Sequence, residues 1–273
     1  MLKKVYDVKK SLCWVISFVV VLSSVLQMTW SSAASVNPNP VTVKMTSLGS
    51  AVKSMTITVN GSYLIRENAQ SLPNNSVYSI AVSGSGLTIS SGSTLIYTFD
   101  SGFYLTKQDI STAGIVLYNP LYGRNLTYLG NLQFRNVNGN IVLYNSVDLE
   151  TYLYGVVSQE MSDSFGAEAL KAQAISARTY VYNKCFFVTD DTTTQAYVGY
   201  MASSVNTINA VNATKGMVVS YQGDIIQAFY SARNGGVTET LSRLAPEAMA
   251  EPIAVPSSTR PIRVRSRFWI SQS

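Results

Sequence analysis

The hydrophobic period of this chain changes once, at Asp148, and that change sets the class of fold available to it. Between about Val41 and Leu143, short β-prone segments alternate apolar and polar side chains, as in Met55-Thr56-Ile57-Thr58-Val59. Such a period of two belongs to strands with one buried face. Past Asp148, the residues Leu149, Tyr152, Leu153, Val156 and Val157 recur at i, i+3, i+4, i+7 and i+8, the apolar stripe of a helix. Asp148 suits the N-cap, where a carboxylate accepts hydrogen bonds from first-turn amides that lack helical partners. The helix is expected to end near Gln159-Glu160-Met161. A second, Ala-rich helix is expected from Ala167 to Asn183, with Leu170, Ala174, Ala177 and Val181 as its core face.

Turn chemistry organises the β part. Asn-Gly tolerates the positive φ of a tight hairpin, so Asn60-Gly61 predicts a hairpin joining 55–59 to 62–65, and Asn138-Gly139 one joining 132–135 to 141–144. The Ser/Gly-rich patch from Ser83 to Ser93 reads as turns between strands. A third hairpin is expected where Gln222-Gly223-Asp224 separates 216–221 from 225–230. The expected fold class is therefore α+β, antiparallel and β-rich, with a central pair of helices.

Composition narrows the chemistry. The chain contains no His, which removes Ser-His-Asp and Cys-His catalysis and every His-based metal site. Of the two Cys, Cys13 lies in an N-terminal segment with the marks of an export signal, which leaves Cys185 unpaired and expected as a small buried side chain. The formal charge of +5 is concentrated at the ends: residues 35–240 hold 11 basic and 12 acidic side chains. A nucleic-acid partner is therefore not expected, since a binding footprint needs basic residues gathered on the folded face. Lys3, Lys4, Lys9 and Lys10, the apolar run from about Leu12 to Trp30 and the small residues Ser31-Ser32-Ala33-Ala34 form the three parts of a secretory signal. The body is expected outside the cytoplasm, touching the membrane only through this segment if it remains uncleaved.

Three ordered blocks then carry a resemblance. Residues 147–161, Val-Asp-Leu-Glu-Thr-Tyr-Leu-Tyr-Gly-Val-Val-Ser-Gln-Glu-Met, are followed by residues 168–180, Glu-Ala-Leu-Lys-Ala-Gln-Ala-Ile-Ser-Ala-Arg-Thr-Tyr, and by residues 228–239, Ala-Phe-Tyr-Ser-Ala-Arg-Asn-Gly-Gly-Val-Thr-Glu. Together they resemble the stage II sporulation protein D and amidase-enhancer family, from about residue 45 to 240. The resemblance implies a peptidoglycan lytic transglycosylase that leaves 1,6-anhydro-muramic ends during wall remodelling such as sporulation, with the active-site cleft carried by the central helices. It makes Glu160 the catalytic acid/base. Lys171 and Arg178 match cationic positions of the family's cleft, and, seven residues apart, they share one helix face. Tyr230 and Ser231, in the third block, are candidates to bind sugar hydroxyls. Asp163 and Glu239 are weaker candidates for a second carboxylate, whereas the first-turn position of Glu150 already gives it a structural role.

Some members of that family bind zinc through Cys and His between the second and third blocks. This chain has Thr192-Thr193-Thr194-Gln195-Ala196-Tyr197 there, so no metal or other cofactor is expected and Gln195 and Tyr197 are expected to line the cleft. The implied partners are glycan strands and other wall hydrolases; a non-catalytic glycan-binding protein or amidase activator is the alternative. The expected organisation is a signal peptide or anchor over 1–34, a β-rich part over 41–145, a helical and β catalytic core over 146–240, and an atypical tail over 241–273. That tail, rich in Pro, Arg and Ser, departs from the family pattern and is expected to be disordered, as a truncated or frameshifted end would be.

Overall fold

Alternating side chains in the first hundred described residues build two antiparallel sheets that face each other across one apolar layer. The computed structural model describes residues 40–109, 112–221, 223–230 and 262–263. The strands are β1 (Val41–Lys44), β2 (Ser54–Val59), β3 (Tyr63–Ile65), β4 (Gln70–Leu72), β5 (Ser76–Ser83), β6 (Gly86–Ser91), β7 (Thr94–Phe99) and β8 (Gly102–Lys107). They continue with β9 (Ile115–Asn119), β10 (Arg124–Tyr128), β11 (Asn131–Val137) and β12 (Asn140–Val147). Two helices follow, α1 (Leu149–Glu160) and α2 (Ala167–Asn183), then β13 (Phe187–Thr189), α3 (Val205–Ala213), β14 (Val219–Tyr221) and β15 (Asp224–Ile225). A two-residue strand, β16 (Ile262–Arg263), runs parallel to β14.

One sheet has the order β13-β1-β12-β11-β8-β3-β4 and the other β10-β9-β2-β5-β6-β7. Inward residues of both, among them Ile57, Ile80 and Leu87 in one and Ile65, Leu105 and Leu132 in the other, are fully buried. Phe99 of β7 stacks on Phe103 of β8, and Phe103 on Phe134 of β11, at centroid distances of 4.4 and 4.9 Å. This aromatic column ties the sheets together, since offset aromatic pairs add to what area burial alone supplies.

β1 lies between β12 and β13, antiparallel to the first and parallel to the second. Chain from both sides of Asp148 thus enters one sheet, and the helices are anchored to the β part at each end. α2 has the bounds expected from sequence, and α1 ends at Glu160, within the expected stretch 159–161. The five stripe residues of α1 are buried, and the Asp148 carboxylate accepts from the amides of Glu150 and Thr151 at 3.0 and 3.3 Å. Leu170, Ala174, Ala177 and Val181 are fully buried on α2.

Three expectations need correction. Asn60-Gly61 does not close a hairpin. Both edges of β2 are already occupied, by β5 and β9, so after Gly61 (φ 94°) the chain crosses to the other sheet, where β3 pairs with β4 and β8. Asn138-Gly139, with φ of 53° and 73°, does form the two-residue hairpin between β11 and β12. The Ser83 to Ser93 patch is not only turns, because β6 runs through it with Leu87 and Ile89 pointing inward. Cys185 is exposed, not buried: at φ 50° it lies in the reversal between α2 and β13.

A third helix, α3, was not anticipated. Its Asn, Thr and β-branched residues are poor helix formers, and tertiary contacts hold it instead. Thr207, Ala210 and Val211 are buried, and the distant Asp163 carboxylate accepts from the amides of Asn206 and Thr207 at 3.3 and 2.7 Å. β14 and β15 pair antiparallel, Ser220 with Ile225 and Tyr221 with Asp224, so the third hairpin has shorter strands than expected. No described helix is long and apolar enough to cross a membrane. The proposed signal segment, and the tail apart from β16, lie outside the described residues.

Candidate functional site

Glu160 is the last residue of α1, followed by Met161 in extended conformation. That position has an electrostatic consequence. The carbonyl end of a helix carries about half a negative charge, which disfavours a carboxylate and favours a carboxylic acid. Burial pushes the Glu160 carboxyl above its usual range, with hydrogen bonds from the Ala196 amide and the Tyr230 hydroxyl pulling partly the other way. The group is half-buried: shielded enough to hold a proton more tightly than in water and still open to a reactant.

The donors around it are set in one direction. Tyr152 donates to Gln195 Oε1 at 3.2 Å, Gln195 Nε2 donates to the Tyr230 hydroxyl at 2.9 Å, and Gln195 Nε2 also reaches the Ala177 carbonyl at 3.3 Å. Because the Tyr230 oxygen accepts from Gln195, its single proton is left for Glu160. Burial, and then the Glu160 charge, push the Tyr230 hydroxyl upward, so it remains a donor at any ordinary pH. Tyr152 is likewise raised by burial. The row Tyr152, Gln195, Tyr230, Glu160 thus delivers a neutral hydrogen bond to one side of the carboxyl.

The loop supplying Gln195 and Ala196 is anchored at its start. The buried Asp190 carboxylate accepts from the Ser47 amide at 2.9 Å, from Thr46 Oγ1 at 3.0 Å and from the Ser47 hydroxyl. Asn119 in turn donates to Ser47 Oγ at 2.6 Å and to the Tyr128 hydroxyl at 3.1 Å. Burial raises Asp190 although these donors oppose it. Asp191 is held at about 2: its small desolvation is outweighed by Thr193, Thr46 and Thr189.

Several residues singled out from sequence sit elsewhere. Arg178 is fully buried and pairs with Glu150, Nε to Oε1 at 3.0 Å and Nη2 to Oε2 at 2.6 Å. Its remaining donors reach the carbonyls of Ala174, Met217 and Val211 at 3.4, 3.0 and 3.4 Å. All five guanidinium N–H groups are thereby used, none of them toward a surface. Glu150 also accepts from the Gly216 amide at 3.1 Å. Arg178 therefore joins α1, α2, the end of α3 and the approach to β14, and does not line a cleft. Lys171, on the same face two turns earlier, escapes this cover. It pairs with Glu168 at 2.7 Å and borders an open groove of about 420 Å³ with Phe165, Asn206 and Asn209.

Tyr197 is also a core residue. It is 1 % exposed, donates to Asn145 at 2.8 Å and packs between Tyr128 and Tyr152. Gly155 is required beneath it, since a Cβ there would lie 2.2 Å from the Gly199 carbonyl and 2.7 Å from the Tyr197 ring. Asp163 caps α3, and its pKa is lowered because hydrogen bonds from Thr207 and Asn206 outweigh slight desolvation. Ser231 and Glu239 lie outside the described residues. Of the sequence candidates, then, the fold brings together Glu160, Gln195 and Tyr230. Sequence reasoning missed the Ala196 amide, the Tyr152 hydroxyl and Asp190. A backbone donor leaves no trace in sequence, Tyr152 read only as part of an apolar stripe, and Asp190-Asp191 acquires meaning only against Thr46 and Ser47.

Comparison with known proteins bears on this same region. The Stage II sporulation protein family matches residues 137–221. An amidase enhancer of Bacillus subtilis is 50% identical over 88 residues, covering 32% of this chain and 12% of that protein. An uncharacterised protein of Brachyspira hyodysenteriae is 36% identical over 123 residues, covering 42% and 33%. A stage II sporulation protein D of Bacillus amyloliquefaciens is 31% identical over 116 residues, covering 34% of each. The chain spans no more than about a third of the length of these relatives. Residues 137–221, which hold Glu160, Gln195 and Ala196, match the Stage II sporulation protein family, and over part of its length the chain is similar to the amidase enhancer and to stage II sporulation protein D.

Proposed function

We propose that this protein is an exported lytic transglycosylase that cuts peptidoglycan glycan strands during cell-wall remodelling, with Glu160 as its acid/base at a cleft carried by α1 and α2. One observation carries the reading: a half-buried carboxyl at a helix C-terminus, raised above its usual range and held on one side by the Tyr230 hydroxyl and the Ala196 amide. A general acid must hold its proton near the working pH, and burial is the usual means. The carboxylic acid protonates the bridging oxygen of the glycosidic bond, and that bond breaks as the sugar gains oxocarbenium character. The resulting carboxylate removes the proton from the same sugar's 6-hydroxyl, whose oxygen closes on C1 to give the 1,6-anhydro ring. The proton given to the leaving sugar is thus recovered from the attacking hydroxyl, so a single carboxyl suffices and no water is consumed. Lys171, paired with Glu168 beside an open groove, positions the substrate at a distance.

The relationship to an amidase enhancer supports a second reading, in which the chain holds glycan for another wall hydrolase without cutting it. Mass spectrometry of purified glycan strands, with and without stem peptides, separates the two. Anhydro-muramic ends made by the protein and lost in Glu160→Gln support the transglycosylase. Intact strands that co-sediment with both proteins overturn it in favour of the binding reading.

A further inference from the structure

A second site lies in the β part. β2 pairs with β5 as far as Ser54–Ala81, but with β9 only as far as Ile57–Leu117, while β9 stays paired with β10 to Asn119–Arg124. β9 therefore peels away from β2, and a groove of about 450 Å³ opens between them. That volume lies within the roughly 300–1,000 Å³ of ligand pockets. Val52 and Leu117 contribute apolar surface, Ser54, Thr56 and Ser79 contribute hydroxyls, and Tyr118 borders the groove. Neither Ala196 nor Tyr230, which hydrogen-bond Glu160, lines it.

Two features define the occupant. Tyr118 presents an aromatic ring that is 59 % exposed on an outward-facing strand position. The lining contains no Asp, Glu, Lys or Arg, and Thr58, Val77 and Val116, on the same outward side of the sheet, extend the uncharged surface. A charged ligand would find no counter-charge here, and a purely apolar one would strand the three hydroxyls. A pyranose ring meets both demands, since its C–H face is apolar and its rim is hydroxylated. We infer that this groove takes a neutral N-acetylglucosamine unit of the glycan strand, docking the strand at a lining that includes neither Ala196 nor Tyr230. The choice of glycan among neutral polyols rests on the function proposed above.

The probe is the hexamer of N-acetylglucosamine, titrated calorimetrically into the full chain and into Tyr118→Ala, Ser79→Arg and Leu95→Ala. Tyr118 and Ser79 are exposed, so neither change disturbs the core. The wild type is expected to bind, with both groove variants weakened by about tenfold or more, and Leu95→Ala, exposed on β7 outside the groove, unaffected. Absence of binding by the wild type, or binding that both groove variants retain, overturns the inference. Cleavage of purified peptidoglycan glycan strands by the wild type and by Glu160→Gln, scored in parallel, keeps the two proposals apart. Glu160-dependent cleavage with binding indifferent to Tyr118 sinks the groove alone. Tyr118-dependent binding without any cleavage supports the groove and sinks the acid.

Discussion

Replacing Arg178 by Met tests whether this residue serves the fold or a substrate. The substitution removes five hydrogen bonds, two of them to Glu150. Glu150 is left as a buried carboxylate with the Gly216 amide as its remaining donor among these contacts. Removing one partner of a buried ion pair costs about 3–5 kcal/mol, because the surviving charge stays desolvated. With an m-value near ~2.5 kcal/mol/M, the urea midpoint of the full chain should fall by about 1–2 M. Arg178→Lys keeps the charge but loses the planar fork, and should fall between Met and wild type. The double variant Glu150→Gln, Arg178→Met no longer buries a lone charge, and should recover about 2 kcal/mol relative to the sum of the single changes. An Arg178→Met protein with an unshifted midpoint that has lost glycan binding or cleavage would refute this reasoning and return the residue to the substrate cleft.

Glu160→Gln should stabilise the protein at neutral pH. A folded pKa raised above 4.5 makes the wild type lose stability as pH rises from the unfolded value through the folded one, whereas Gln carries no such term. Urea midpoints of the two proteins should therefore converge near pH 4 and separate toward pH 7. Asp163→Ala removes the carboxylate that caps α3 and should cost about 1 kcal/mol at pH 7. Because its folded pKa is lowered, the contribution is present above 3.8 and lost as pH falls through the folded value, which paired acid titrations would follow. Gly155→Ala should destabilise by about 1–3 kcal/mol through overpacking against Tyr197 and Gly199, read as a lowered thermal midpoint.

The helices were legible in sequence because their information is local. Asp148, the stripe from Leu149 to Val157 and the Ala-rich face of α2 each act within a few residues, and the structure reproduces their bounds. The hairpin at Asn138-Gly139 was legible for the same reason, its flanking strands being free to pair with each other. Asn60-Gly61 carries the same dipeptide and fails, since β2 finds its partners fifteen or more residues away. Helix α3 went unseen because its cap comes from Asp163 and its packing from other helices.

The site divides along the same line. Sequence by itself determined that no His chemistry was available, that a carboxyl would stand at the end of α1, and that cationic residues would lie on one face of α2. Tertiary structure decided which of these meet. It buried Arg178 against Glu150 while leaving Lys171 beside open solvent, drew Tyr197 into the core, and brought Gln195 and Tyr230 to Glu160. Two side chains with the same charge on the same helix face are equivalent in sequence. They become different only when another segment covers one of them, and desolvation then dictates that the covered charge must find a partner.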